Sequence, residues 1–214
     1  MDIKIVYADT AQPFINYEKY LPLLPVQRRE KISRLRRDGV KIISLMTGLL
    51  IRKEISEQLG ILPEEQVFGY GAHGKPYLVN DENYYFSVSH SGSCIAFAGG
   101  HVPVGIDVER IRAGKLHIAK RFFTENEYSF IKSSREPDID FYKIWTAKEA
   151  YVKMRGTGLS ESLRSFDVLN GSLNCGFCTR LLPGYALTVC TERNATNNIT
   201  TDVLTADCLL EQRV

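Results

Sequence analysis

Two stretches of this 214-residue chain place carboxylates and a cation at spacings that can do chemistry. The first is Val104-Gly105-Ile106-Asp107-Val108-Glu109. On a strand, alternate side chains share a face. Val104, Ile106 and Val108 then point to a core, and Gly105, Asp107 and Glu109 point the other way. The glycine leaves room beside the carboxylates. Two carboxylates on one strand face repel unless a cation lies between them. Magnesium suits such a pair, because it takes a few carboxylates and fills its octahedron with waters and substrate phosphates. A solvated acidic strand face explains the stretch equally well. The second stretch is Trp145-Thr146-Ala147-Lys148-Glu149-Ala150-Tyr151-Val152-Lys153. On a helix, Glu149 and Lys153 share a face with Trp145. They read either as an exposed ion pair or as a third metal carboxylate beside a lysine that meets phosphate.

Other residues carry weaker signals. Ser87, Ser89 and Ser91 flank His90 and could suggest a nucleophile. No G-x-S-x-G elbow accompanies them and no acid is placed to orient the histidine, so a hydrolase triad is rejected. Lys75 sits between Gly74 and Pro76 on a rigid turn. Arg28, Arg29, Lys31, Arg34, Arg36 and Arg37 crowd one segment. The net charge is only +2 and no stacking aromatics interleave the arginines, which argues against nucleic acid. A solvated helix face accounts for some of these cations, and anionic partners for others. Cys175 and Cys178 form a lone CxxC, without the second pair a zinc site wants.

The elements that must hold these residues follow from periodicity. Residues 2–8 alternate as a strand. Residues 26–59 are helical, broken near Gly39, and end at Gly60 and Pro63. Residues 84–100 read as two short strands around a Ser-His-Ser-Gly turn. Residues 99–103 are the candidate link between two halves, 1–103 and 104–214. A strand covers 104–111 and a helix 115–121. Thr124 caps another helix with Glu127 three residues on, a capping box. A further helix spans 140–154. Strands are expected at 166–169, 178–182, 186–192 and 200–209. Both halves mix helices and strands, so the class is α+β with antiparallel sheets. Apolar content of 44% and charged content of 24% suit a soluble globular protein. No run approaches the about 20 apolar residues of a membrane helix. Asp2, Lys4 and Asp9 break the only N-terminal apolar stretch, and the five cysteines are odd in number. Reduced thiols in the cytoplasm are the expectation.

Together these blocks resemble the 4′-phosphopantetheinyl transferases of the surfactin-synthetase-activating (Sfp) type. The matching blocks are Gly74-Lys75-Pro76, Phe86 through Gly92, Val104 through Glu109, Arg121-Phe122-Phe123 with Glu127-Tyr128, and Trp145 through Lys153. They stand in the family's order. The resemblance implies two pseudo-symmetric halves, each a small antiparallel sheet packed with helices, with coenzyme A in the cleft between them. It implies that Asp107, Glu109 and Glu149 hold magnesium, with manganese an alternative. By the same resemblance, Glu127 is a general base, and Lys153 and Glu149 belong to the catalytic set. Lys75, Ser89, His90 and Lys153 would contact coenzyme A, with Gly74 and Pro76 framing Lys75. His90 is associated with the 3′-phosphate, Arg28 and Lys31 fall where the family carries basic residues near that phosphate, and Ser44, a further coenzyme A contact, stands where threonine is common and keeps the hydroxyl. Ile43 departs from the pattern, since a basic residue is common there.

The implied reaction is transfer of phosphopantetheine from coenzyme A to a serine of an acyl or peptidyl carrier protein, releasing adenosine 3′,5′-bisphosphate. The implied protein is a monomer that binds neither nucleic acid nor membrane. A non-catalytic module that binds coenzyme A or a carrier is the alternative. A magnesium phosphohydrolase is a third reading. Glu127 has two readings, base and helix cap.

Overall fold

The computed structural model describes residues 2–7, 17–204 and 209. Strand β1 (Asp2–Tyr7) is followed by helices α1 (Val26–Ser33) and α2 (Asp38–Leu59). Strands β2 (Phe68–Tyr70), β3 (Pro76–Leu78), β4 (Tyr85–Ser91) and β5 (Cys94–Gly100) come next. Then come β6 (Val104–Arg110) and helices α3 (Leu116–Phe122), α4 (Glu125–Ser133) and α5 (Pro137–Arg155). Strands β7 (Gly176–Leu182), β8 (Tyr185–Thr191) and β9 (Thr200–Leu204) close the described chain. Expected strand positions at residue 8 and residues 205–208 lie outside the described residues. Among the described residues, no helix is long and apolar enough to cross a membrane.

The fold is α+β. One sheet runs β4-β5-β1-β9, another β6-β8-β7, and β2 pairs with β3 alone. Every pairing is antiparallel except β1 with β9, which is parallel. The chain's last described strand therefore returns to the first sheet, and a division at residue 103 leaves β9 on the far side. Helix α2 covers the first sheet with Ile42, Leu45, Met46, Leu49 and Leu50, all at most 1% exposed, against Phe86, Ile95 and Phe97. Burying each such side chain contributes about 1.5–3 kcal/mol.

The helical run breaks at residues 34–37, earlier than Gly39, which lies in the first turn of α2. The reason is the fold-back of α1 on α2. Arg28 Nη2 donates to the Ser44 carbonyl at 2.9 Å. Gly48 makes the approach possible, since a Cβ there would lie 2.8 Å from Arg28 Nε and from Leu24 Cδ2. The expected strand at 166–169 does not form. Its backbone groups bond to side chains instead: Val168 N–H to Glu127, and Leu169 and Asn170 N–H to Asp167.

His90 and Ser91 lie in β4, and the turn itself is Gly92-Ser93, with Gly92 at φ 57°. This extension of β4 builds the seam between the two larger sheets. Ser87, Ser89 and Ser91 alternate along β4 and each bonds to β6. Ser87 Oγ accepts from Ile106 N–H at 3.1 Å. Ser89 Oγ donates to Asp107 Oδ1 at 2.7 Å, and Ser91 Oγ to Glu109 Oε2 at 2.6 Å. Helix α5 lies across β6. A Cβ on Gly105 would sit 2.0 Å from the Ala150 carbonyl oxygen. The room this glycine leaves is taken by the helix backbone, not by the carboxylates.

Candidate active site

Strands β4 and β6 and helix α5 converge on a cavity of about 410 Å³. Ser89 and His90 enter from β4, Asp107 and Glu109 from β6, and Glu149 and Lys153 from α5. The i, i+4, i+8 spacing of Trp145, Glu149 and Lys153 places all three on the cleft face of α5. A second cavity of about 620 Å³ shares Val88, Trp145, Glu149 and Lys153 with the first. Its wall is more apolar, with Phe86, Phe122, Val152 and Leu163, and Gly74-Lys75-Pro76 forms one rim.

Asp107 anchors the polar cavity. Its side chain is 5% exposed and Lys153 Nζ stands 2.7 Å from Oδ1. Lys153 also donates to Ser89 Oγ at 2.8 Å. Burial pushes the Asp107 carboxyl up, opposed by Lys153. Burial also raises Glu109, against the Ser91 hydrogen bond, and raises Glu149, with Asp107 adding repulsion. Three carboxylates are thus held in a site that disfavours their charge. As arranged, no three His, Cys, Asp or Glu side chains among the described residues stand close enough to ligate one ion together. The donor set nonetheless fits a hard cation. Its side-chain donors are all oxygen, as a hard cation prefers, and Asp107 Oδ2 is buried without a hydrogen-bond partner.

His90 is exposed at the cleft mouth. Although its surface is open to solvent, the ring is crowded by neighbouring protein, and that partial desolvation lowers its pKa, with Lys153, Arg28 and Lys31 lowering it further. Asp107 opposes these three cations. Arg28 is tied to the Ser44 carbonyl, and burial lowers its pKa. Lys31 is exposed. Ser44 is half-buried, engages Arg28 through its carbonyl rather than its hydroxyl, and lines neither cavity. Ile43 is 5% exposed in the α2 core, so a charge there has no place in this packing.

Lys75 crosses the seam. Its Nζ donates to the carbonyls of Val104, at 3.0 Å, and Met154, at 3.1 Å. Burial depresses its pKa from the ordinary 10.5 to about 8. The depressed value means that folding disfavours the charged form. The resulting loss of stability is full below about pH 8 and fades as pH rises towards 10.5. Thermal melts of wild type and Lys75→Met should therefore shift in favour of wild type across that window. A pH-independent difference between the two melts would contradict it.

Glu127 is placed differently from the cleft residues. It lines neither cavity and is fully buried. Its Oε2 accepts from Thr124 N–H at 2.9 Å, and Thr124 Oγ1 accepts from Glu127 N–H, so the capping box forms as the sequence predicts. Oε2 also pairs with Lys148 Nζ at 2.9 Å, both side chains being 0% exposed. Oε1 accepts from Val168 N–H at 2.9 Å. With both oxygens engaged behind Lys148, this carboxylate has no route to a hydroxyl in the cleft. The geometry favours the cap over the base. Lys148 was not among the expected site residues, because a lysine in the middle of a helix reads as a solvent-facing one. The serine seam was missed likewise. The alternation of Ser87, Ser89 and Ser91 beside that of Gly105, Asp107 and Glu109 was the available signal.

An α+β fold whose two larger sheets meet at an acidic, lysine-bearing cleft defines a class, and comparison with known proteins gives the family. Residues 103–201 match the 4′-phosphopantetheinyl transferase superfamily. Residues 13–102 match the family described as 4′-phosphopantetheinyl transferase, N-terminal. A 4′-phosphopantetheinyl transferase of Bacillus subtilis is 34% identical over 171 residues, 78% of this chain and 76% of that protein. The 4′-phosphopantetheinyl transferase Sfp of Bacillus subtilis (strain 168) is 33% identical over 170 residues, with the same coverage of each chain. The gsp transferase of Aneurinibacillus migulanus is 38% identical over 125 residues, 58% of this chain and 52% of that protein. The chain belongs to the 4′-phosphopantetheinyl transferase family.

Proposed function

We propose that the protein transfers the 4′-phosphopantetheine of coenzyme A to a serine hydroxyl of an acyl or peptidyl carrier protein, releasing adenosine 3′,5′-bisphosphate. The observation that carries this reading is the cleft itself. His90, Asp107 and Glu109 line the polar cavity, Glu149 and Lys153 border both cavities, and the larger cavity beyond them is walled by apolar side chains. That arrangement suits a ligand with a nucleotide phosphate, a pyrophosphate and an apolar-lined arm. The serine oxygen forms a bond to the β-phosphorus, and the bond to the bridging oxygen breaks. Such transfer depends on positioning and on charge stabilisation. Lys153 offers its cation to the leaving oxygen. Glu149 borders both cavities and is the carboxylate placed to take the serine proton. Asp107, Glu109 and Glu149 would hold magnesium, or manganese, which suits the same oxygen ligands. When bound, that ion supplies Lewis-acid neutralisation of the pyrophosphate oxygens. We place the carrier against α4, and the enzyme in the cytoplasm as a monomer, because one chain supplies both sides of the cleft. The reading includes no nucleic-acid or membrane partner.

Intact-protein mass spectrometry of an apo carrier tests this. Incubation with enzyme, coenzyme A and magnesium should add one phosphopantetheine, about 340 Da by its covalent formula. Chelation of the metal should abolish the gain. Tight coenzyme A binding with no gain on acyl or peptidyl carriers would leave the non-catalytic module. Release of adenosine bisphosphate without a carrier would indicate a hydrolase.

A further inference from the structure

The buried Glu127–Lys148 pair sits outside the cleft, yet it touches the segment that walls it. Lys148 Nζ spends its three hydrogens on Glu127 Oε2 at 2.9 Å, the Leu163 carbonyl at 2.7 Å and the Phe166 carbonyl at 2.6 Å. The ammonium also lies 4.4 Å from the Phe166 ring centroid, a cation–π contact. Glu127 reaches the same segment from the other side, through Val168 N–H. Asp167 adds a third fastening. It accepts from Thr124 Oγ1 at 2.8 Å and from Asn126 Nδ2 at 3.1 Å, both at the start of α4. Residues 163–168 thus form a strap pinned to α4 and α5 with no sheet of its own. Leu163 at one end of it lines the apolar cavity, together with Glu161 and Ser162 just before it.

We propose that Glu127 and Lys148 are positioning residues. They set the strap, and through Leu163 the width of the apolar cavity, and so govern affinity for coenzyme A rather than proton transfer. This rests on the transferase reading for what fills the cavity. A buried pair suits such a task, because removing one partner strands the other charge in a dry site and forces the strap to move.

The test compares Glu127→Gln and Asp167→Ala with wild type, in steady-state transfer to an apo carrier and in calorimetric binding of coenzyme A. Glu127→Gln should raise both the Kd and the KM for coenzyme A by about tenfold or more, with kcat changed less. The acid limb of the kcat–pH profile should be kept. Asp167→Ala loosens the strap at a residue that lines neither cavity. It should raise the same two constants about fivefold, because it removes both hydrogen bonds that fasten the strap to the start of α4 and the two that Asp167 accepts from Leu169 and Asn170 N–H. A fall in kcat of about a hundredfold in Glu127→Gln, with affinity unchanged and the acid limb gone, marks a general base and overturns the proposal. Unchanged affinity in Asp167→Ala overturns it as well, and that variant decides the matter if Glu127→Gln fails to fold. Wild type that binds coenzyme A but transfers nothing refutes the transferase reading, while the binding constants still report on the strap.

Discussion

Asp107→Ala should leave a folded protein whose kcat/KM for transfer falls by about a thousandfold or more, the scale expected when an electrostatic anchor of the transition state is lost. Asp107 performs two tasks with two oxygens. Oδ1 holds both Lys153 Nζ and Ser89 Oγ at 2.7 Å, which fixes the lysine over the cleft. Oδ2 is buried without a hydrogen-bond partner, the atom a cation would take. Alanine removes both. The fold should suffer less than the activity. Burial already raises the Asp107 pKa, so its charge costs the native state free energy that alanine relieves. Lys153, with a side chain 30% exposed, can turn to water once its partner is gone. Thermal melts provide the control. In wild type, magnesium with coenzyme A at about a hundred times Kd should stabilise by about 2.7 kcal/mol. Asp107→Ala should lose the magnesium-dependent part of that rise. An equal rise in both proteins would remove Asp107 from any metal site.

The site was legible in the sequence where a local period carried it. Alternation brought Asp107 and Glu109 to one face of β6, and the i, i+4 rule brought Glu149 and Lys153 to one face of α5. The capping box at Thr124 and Glu127 could be read for the same reason, since it is complete within four residues. What could not be read depends on partners far along the chain. Lys148 reaches Leu163 and Phe166, and Glu127 reaches Val168. No local pattern announces those bonds. The segment at 166–169 had the composition of a strand, but side chains took its backbone hydrogen bonds before any neighbour could. The return of β9 to β1 is also long-range, and its parallel pairing departs from an all-antiparallel expectation. Glu127 shows the hazard in reading a role from a motif. Its place in the helix was right, and the same capping geometry draws its carboxylate away from the cleft.

Gly105→Ala should be the most damaging single methyl in the molecule for fold and activity together. The added Cβ would lie 2.0 Å from Ala150 O, 2.4 Å from Met154 N and 3.0 Å from Ala150 C. All three are backbone atoms of α5, so no side chain can swing aside, and the helix must move as a body. Overpacking of this kind costs about 3 kcal/mol, or about 6–12 °C in Tm for a chain of this size. Ala150 follows Glu149, and Met154 follows Lys153, so the displacement falls on the two charged side chains that the helix presents to the cleft. A shift of about 1 Å can cost a hundredfold in rate, because these groups act by position. Gly71→Ala is the matched control. Its nearest neighbour is Lys75 O at 3.7 Å, and alanine there should be nearly neutral. If Gly105→Ala melts within about 2 °C of wild type and transfers at the wild-type rate, α5 does not lean on β6 at this glycine. The close approach that brings Glu149 and Lys153 to Asp107 would then need another cause.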